Sequence, residues 1–348
     1  MSIFPNLARL GAAALAATLL SPSAQAQGLP EGLSALLDAA RTEGQVSIFV
    51  STDARTAEDE AAIRQAILTE TGVDLTVRLV SGAPDPVYFQ QVIQELGAGV
   101  TPSVDLIVSV PSLLVGIRDA GGIASTDWLA LGAPSEEVAA PVHGLFTAEF
   151  ARPVIYNTTL LTEDEVPHSL EDLLTPEWAG RIVTASLPDV FSPWAIALGH
   201  DGVLEMVETL YTDLNVGIAP APTAIRTLVE SGQYPIGFGI RPSHAQLTSG
   251  SPVAYAPIKA PAVPRYAAIV SGTGHENAAT VVAWVLSQTE SGQTVAARVL
   301  DWPRRTVPGT DLYDFSQQVG GLYSASADWW LGDFFATNQA VAELLRDL

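Results

Sequence analysis

QVSIFVSTDARTAEDEAAIRQAILTETGVDLTVRLV, residues 45–80, carries the reading on which the fold depends. Its opening six residues are short, rich in β-branched side chains and bounded by Gly44 and Ser51, the composition of a buried strand. After the polar loop STDAR, Thr56 and Asp59 stand at the spacing of an N-cap residue and its third-position partner, so a helix begins there. Ile63, Ala66 and Ile67 fall on one face of that helix and Gly72 supplies its stop. DLTVRLV (74–80) then reads as a second strand. A strand, a helix and a strand in direct succession are the unit of a parallel sheet covered by helices.

The same alternation continues outward. Residues 29–42 read as a helix before the first strand. Beyond the loop SGAPDP come a helix over 87–96, a third strand VDLIVSV (104–110), and PSLLVGIRDAGG, in which Pro111 suits a first helical turn. PVIYN (153–157) reads as a strand, and HSLEDLLTPEWAGRI as a short capped helix, a turn and a further strand. Residues 233–239, 253–257 and 266–270 are three more apolar runs, and 276–287 and 290–300 are helices with an apolar stripe. The chain contains no repeat, no low-complexity segment and no Gly/Ser linker. Two bodies without a linker are expected to be joined by strands that cross from one to the other.

Composition bounds the setting. Arg9, the apolar run 10–20 and the small residues SPSAQA form the layout of a secretory signal peptide, residues 1–26, cleaved after Ala26. The apolar run is shorter than the roughly 20 residues that span a bilayer, so an anchor is the weaker alternative. Export to the periplasm is expected, leaving a chain long enough for two ordinary cores. With no cysteine, stability must come from burial rather than disulfides. The net charge of −22 repels phosphate backbones and anionic lipid, which argues against nucleic-acid partners and membrane insertion. Solubility and electrostatic capture of a cationic solute are both open explanations of that acidity.

Six blocks, TGVDLTVRL, PSVDLIVSVP, ARPVIYNTTLL, LEDLLTPEWAGRI, HENAATVVAWVLSQTESGQ and DWPRR, resemble in that order the bacterial extracellular solute-binding proteins of the ferric-iron-binding type. The resemblance runs over residues 45–305. It implies an α/β, two-lobed periplasmic-binding-protein fold of type II, each lobe a mainly parallel sheet flanked by helices, with crossing strands as hinge. It places residues 28–151 and 265–306 in the first lobe and 152–264 and 307–348 in the second. It further implies a monomer without cofactor that closes on a solute and hands it to an ABC-type membrane permease.

Ligands of open α/β sheets sit beyond the carboxyl ends of strands, where helix N-termini present free N–H groups. Ser51, Thr52, Ser81, Gly82 and Ser112 occupy such ends. The iron branch of the family holds its metal with a histidine, a glutamate and a tyrosine pair, a set of ligands suited to a hard cation. At the corresponding positions this chain has Thr52, Asp53 and Ala54, then Val110, and no tyrosine in IRPS (240–243). Ferric iron would therefore need a non-standard ligand set, and no metal site is assigned.

The family's anion loop corresponds to Pro188, Asp189 and Val190. Asp189 is either a helix-start residue favoured by the dipole or a carboxylate facing the cleft. Arg241 is either a surface ion-pair partner or a bidentate anchor for a carboxylate or phosphonate. Tyr88, Phe191, Trp194 and Tyr266 are either core or the apolar lining of a pocket. Taken together they indicate a small organic anion or zwitterion of amino-phosphonate or amino-carboxylate type.

The competing class is an exported hydrolase or lyase. The five histidines, His143, His168, His200, His244 and His275, form no i, i+4 pair, and no G-x-S-x-G elbow, S-x-x-K or phosphate-cradling Gly-Lys loop occurs. The aromatic tail DWWLGDFF (328–335) reads as the packing face of a C-terminal helix or as a docking face.

Overall fold

The computed structural model describes residues 29–51, 56–240 and 250–348. The expected signal peptide, Thr52 and Arg241 lie outside the described residues. Among the described residues eleven strands form two sheets, one in each lobe. The first contains β1 (Gln45–Phe49), β2 (Thr76–Val80), β3 (Leu106–Ser109), β4 (Val138–Ala139), β5 (Gly144–Ala151) and β11 (Ala262–Ile269), in the order β2-β1-β3-β11-β5-β4. The second contains β6 (Val154–Asn157), β7 (Ile182–Ala185), β8 (Gly217–Ala219), β9 (Ile236–Phe238) and β10 (Val253–Tyr255), in the order β10-β6-β9-β7-β8. β1 pairs in parallel with β2 and β3, and β7 with β8 and β9, while the strands nearest the crossings pair antiparallel.

Local chemistry sets the helices between them. Thr56 and Asp59 form a reciprocal capping box, the Thr56 N–H donating to Asp59 Oδ2 at 2.7 Å and the Asp59 N–H to Thr56 Oγ1 at 3.3 Å. Gly72 ends that helix in the left-handed region, where a side chain is strained. Pro111 occupies the first turn of Pro111–Asp119. Glu276–Gln288 is buried on nearly every side from Ala278 to Ser287 because it packs between the first sheet and the helix Glu31–Glu43.

Three chain crossings join the lobes. β5 runs through Arg152 and Pro153 into β6, and β10 runs back into β11, which pairs with β5 along its length. The strand read at 266–270 begins earlier, at Ala262: Pro264 has no N–H to give, but none is required there, because β3 pairs with β11 only from Tyr266 and the opposite Glu149 turns its own N–H to the Pro303 carbonyl. The third crossing follows the helix Glu290–Val299 and carries the chain to Asp311–Gln318, whose Leu312 and Phe315 enter the second core. Among the described residues no helix is long and apolar enough to cross a membrane.

Candidate functional site

A cavity of about 500 Å³ opens between the two sheets, against the crossing strands. The first lobe supplies Pro86, Val110, Ser112 and Leu113, at the starts of the helices that follow β2 and β3. The crossings supply Phe150, Arg152 and Val263, and the second lobe supplies Asp189 and Pro193. The C-terminal segment closes one wall with Trp330, Phe334, Phe335 and Asn338. Mostly apolar walls with a few polar groups are the usual construction of a small-molecule site, and this volume is ordinary for one.

The charged centre is Arg152, buried on the crossing between β5 and β6. One guanidinium nitrogen, Nη2, donates to Asp189 Oδ2 in a short ion pair, and Nη1 donates to the Gly239 carbonyl at 3.3 Å. The guanidinium also lies 5.5 Å from the Phe150 ring centroid. Gly239 ends β9 with φ +80°, and a Cβ there would collide with Val190, so only glycine lets the Pro188–Phe191 turn approach this closely. Asp189 makes no side-chain cap at that turn, and its side chain stays 54% exposed. A buried cation paired with a half-solvated carboxylate on one cavity wall offers a guanidinium to a carboxylate and, beside it, a carboxylate to an ammonium.

Of the sequence-nominated residues, the structure brings Ser112 and Asp189 to this cavity. Ser51, Ser81 and Gly82 cluster at the ends of β1 and β2, where the Gly82 N–H donates to the Ser51 carbonyl at 3.4 Å, and do not line it. Tyr88 stacks on Phe49 at 4.2 Å inside the first lobe and shares a hydrogen bond with Ser103 at 2.9 Å. Phe191 and Trp194 are core residues of the second lobe, both stacked on Phe238. Helix starts near a cleft carry aromatics for packing as readily as for binding, which is why the sequence pattern does not separate the two. Arg152 and Asn338 escaped the sequence reading, and Trp330 entered it only within the aromatic tail 328–335, as a packing or docking residue. Arg152 looks like a lone polar residue before a proline, and its one signal is an apolar strand on either side.

Tyr266 lines a different cavity, of about 320 Å³, on the crossing strands beside Phe146, Glu137 and Glu149. Burial, reinforced by those two carboxylates, pushes its hydroxyl up to about 12. Here the DWPRR block finds its purpose. Arg304 holds Glu137 with two bonds of 2.8 and 3.1 Å, donates to the carbonyls of Phe146 and Thr147, and lies 4.4 Å from the Phe146 ring. Arg305 clamps Glu149 with its Nε at 2.8 Å and Nη2 at 2.5 Å, while its backbone N–H donates to the same carboxylate at 2.9 Å. The block fastens the third crossing to β5. Among the described residues no three histidine, cysteine, aspartate or glutamate side chains gather to hold a metal ion.

A two-sheet body with a cleft at its crossing strands is the fold of type II periplasmic-binding proteins. No family model and no curated protein sequence matches this chain. Solved structures do. An ABC transporter substrate-binding protein from Bradyrhizobium japonicum USDA 110 is 14% identical with a TM-score of 0.68, over 86% of this chain and 99% of that one. Iron-bound HitA from Pseudomonas aeruginosa is 17% identical with a TM-score of 0.61, over 87% and 98%. The binding protein AgtB from A. tumefaciens R10, in complex with agropinic acid, is 14% identical with a TM-score of 0.57, over 87% and 99%.

Proposed function

We propose that the protein is the extracytoplasmic solute-binding component of an ABC importer. It holds a small organic anion or zwitterion, of amino-carboxylate or amino-phosphonate type, between its lobes and passes it unchanged to a membrane permease. The observation that carries this reading is the buried Arg152 guanidinium, paired with the half-exposed Asp189 on the wall of a cavity of about 500 Å³. A guanidinium fork suits a carboxylate or phosphonate, and a carboxylate beside it suits an amine. In this reading Ser112 and the start of its helix complete the anion end. Similar folds include proteins solved with iron and with agropinic acid, so fold alone favours neither. The guanidinium at the centre favours the organic ligand, because a cation repels ferric iron.

In this reading the first lobe takes residues 28–151 and 265–306 and the second 152–264 and 307–348; membership of the two sheets supports the division except at Ala262–Pro264, which pair with β5 in the first sheet. Closure is a hinge motion at the crossings, whose closed population the solute raises. The protein works as an exported monomer, without cofactor and without turning its solute over. A native mass spectrum of protein from the producing cell tests this. The expected result is an added mass of a small organic solute, released intact on unfolding. Bound iron, or a solute recovered in altered form, would overturn it.

A further inference from the structure

Asn338 and Trp330 reach the cleft from the C-terminal segment, which touches both lobes. The helix Ala327–Leu331 packs on Pro111–Asp119 of the first lobe, and Asp333–Asp347 packs on Ala195–Glu208 of the second. Resting on the reading of the cleft as a solute site, we propose that this segment selects the solute. Asn338 takes its ammonium through the amide oxygen, and Trp330 with Phe334 takes an apolar side chain, so the solute is an α-amino carboxylate with an apolar side chain.

A count of protons orients the Asn338 amide. Ser192 Oγ lies 2.7 Å from the Pro188 carbonyl and 3.0 Å from the Asn338 amide oxygen. A hydroxyl has one hydrogen and a carbonyl only accepts, so Ser192 donates to Pro188. Asn338 then completes the chain by turning its NH₂ to Ser192, an exchange of amide ends that leaves Oδ1 for the cavity it lines with Asp189. Two oxygens thus face an ammonium while Arg152 faces the carboxylate. Trp330 and Phe334, with ring centroids 4.8 Å apart, form the wall beside them. A second carboxylate on the solute would be driven against this aromatic wall and lose its hydration.

Calorimetric titration of the full mature chain with phenylalanine, 3-phenylpropionate and glutamate tests the proposal. Wild type should bind phenylalanine at least about tenfold tighter than either of the others, the ratio expected when one polar contact is lost. Asn338→Leu should lose about tenfold toward phenylalanine and nothing toward 3-phenylpropionate, which has no ammonium to place. An equal loss for both, no loss for either, or a wild type that prefers glutamate would overturn the selection by Asn338 and Trp330 while leaving the cleft a solute site. If Asn338→Leu does not fold, Asn338→Asp decides: it should keep phenylalanine and weaken 3-phenylpropionate, and parity between the two contradicts the proposal. Wild type that binds no amino or carboxylic acid at all sinks the reading of the cleft itself.

Discussion

Two cavities flank the crossing strands, each with arginine facing carboxylate, yet the pairs are built for different ends. Arg304 and Arg305 are each held by two or more bonds to one glutamate and by backbone groups besides, and Glu149 is buried with its charge fully answered. Arg152 meets Asp189 through a single guanidinium nitrogen, and Asp189 remains half in water. A carboxylate clamped on several sides cannot be exchanged for a ligand without leaving a buried charge unpaired. A solvated one can be shared or displaced at little cost. The lesson is that an arginine's role here follows from how thoroughly its partner is satisfied.

The largest effect should come from breaking the closed pair. Arg305→Ala leaves Glu149 buried with only a backbone N–H, and unfolding in denaturant should show a loss of roughly 3–5 kcal/mol. A loss below about 1 kcal/mol would place Arg305 with ordinary surface pairs.

A smaller effect sharpens the same cavity. The Tyr266 hydroxyl, raised to about 12 in the folded chain, ionises near 10 when unfolded. Its contribution to stability is therefore complete below about pH 10 and is lost as pH rises toward 12. Tyrosinate absorbance, compared between wild type and Tyr266→Phe, should show the missing transition at the alkaline end. A missing transition near 10 would mean that Tyr266 is not enclosed by its neighbours.

The smallest effect concerns a residue nominated for the cleft and placed in the core. Tyr88→Phe removes one hydrogen bond to Ser103 and should cost about 1 kcal/mol of stability, with solute affinity unchanged. A changed affinity would bring Tyr88 back to the site.

Most of the fold was legible because its signals are local. The capping box at Thr56, the left-handed stop at Gly72 and the first-turn proline at Pro111 each specify backbone within a few residues, and all three appear as read. β5 is the main strand the pattern did not yield: in GLFTAEFA the polar Thr147 and Glu149 interrupt the apolar run, because both are answered by partners far along the chain, Ser287 and Arg305. Of the candidate cavity's lining, the sequence nominated only Ser112 and Asp189, which follow strand ends. Arg152, Trp330 and Asn338 converge through crossings and a tail that returns from the far end of the chain, and no spacing in the sequence announces such a meeting.

The most direct test of the account is a calorimetric titration of wild type and Arg152→Ala with the solute recovered from the native protein. Removing Arg152 should weaken binding about a hundredfold or more, as expected when one partner of a buried charge pair is truncated. The melting temperature of the empty protein should fall less than for Arg305→Ala, since the carboxylate left behind, Asp189, is already half solvated. Equal affinity in the two proteins would show that the solute is held somewhere other than the cleft at the crossing strands.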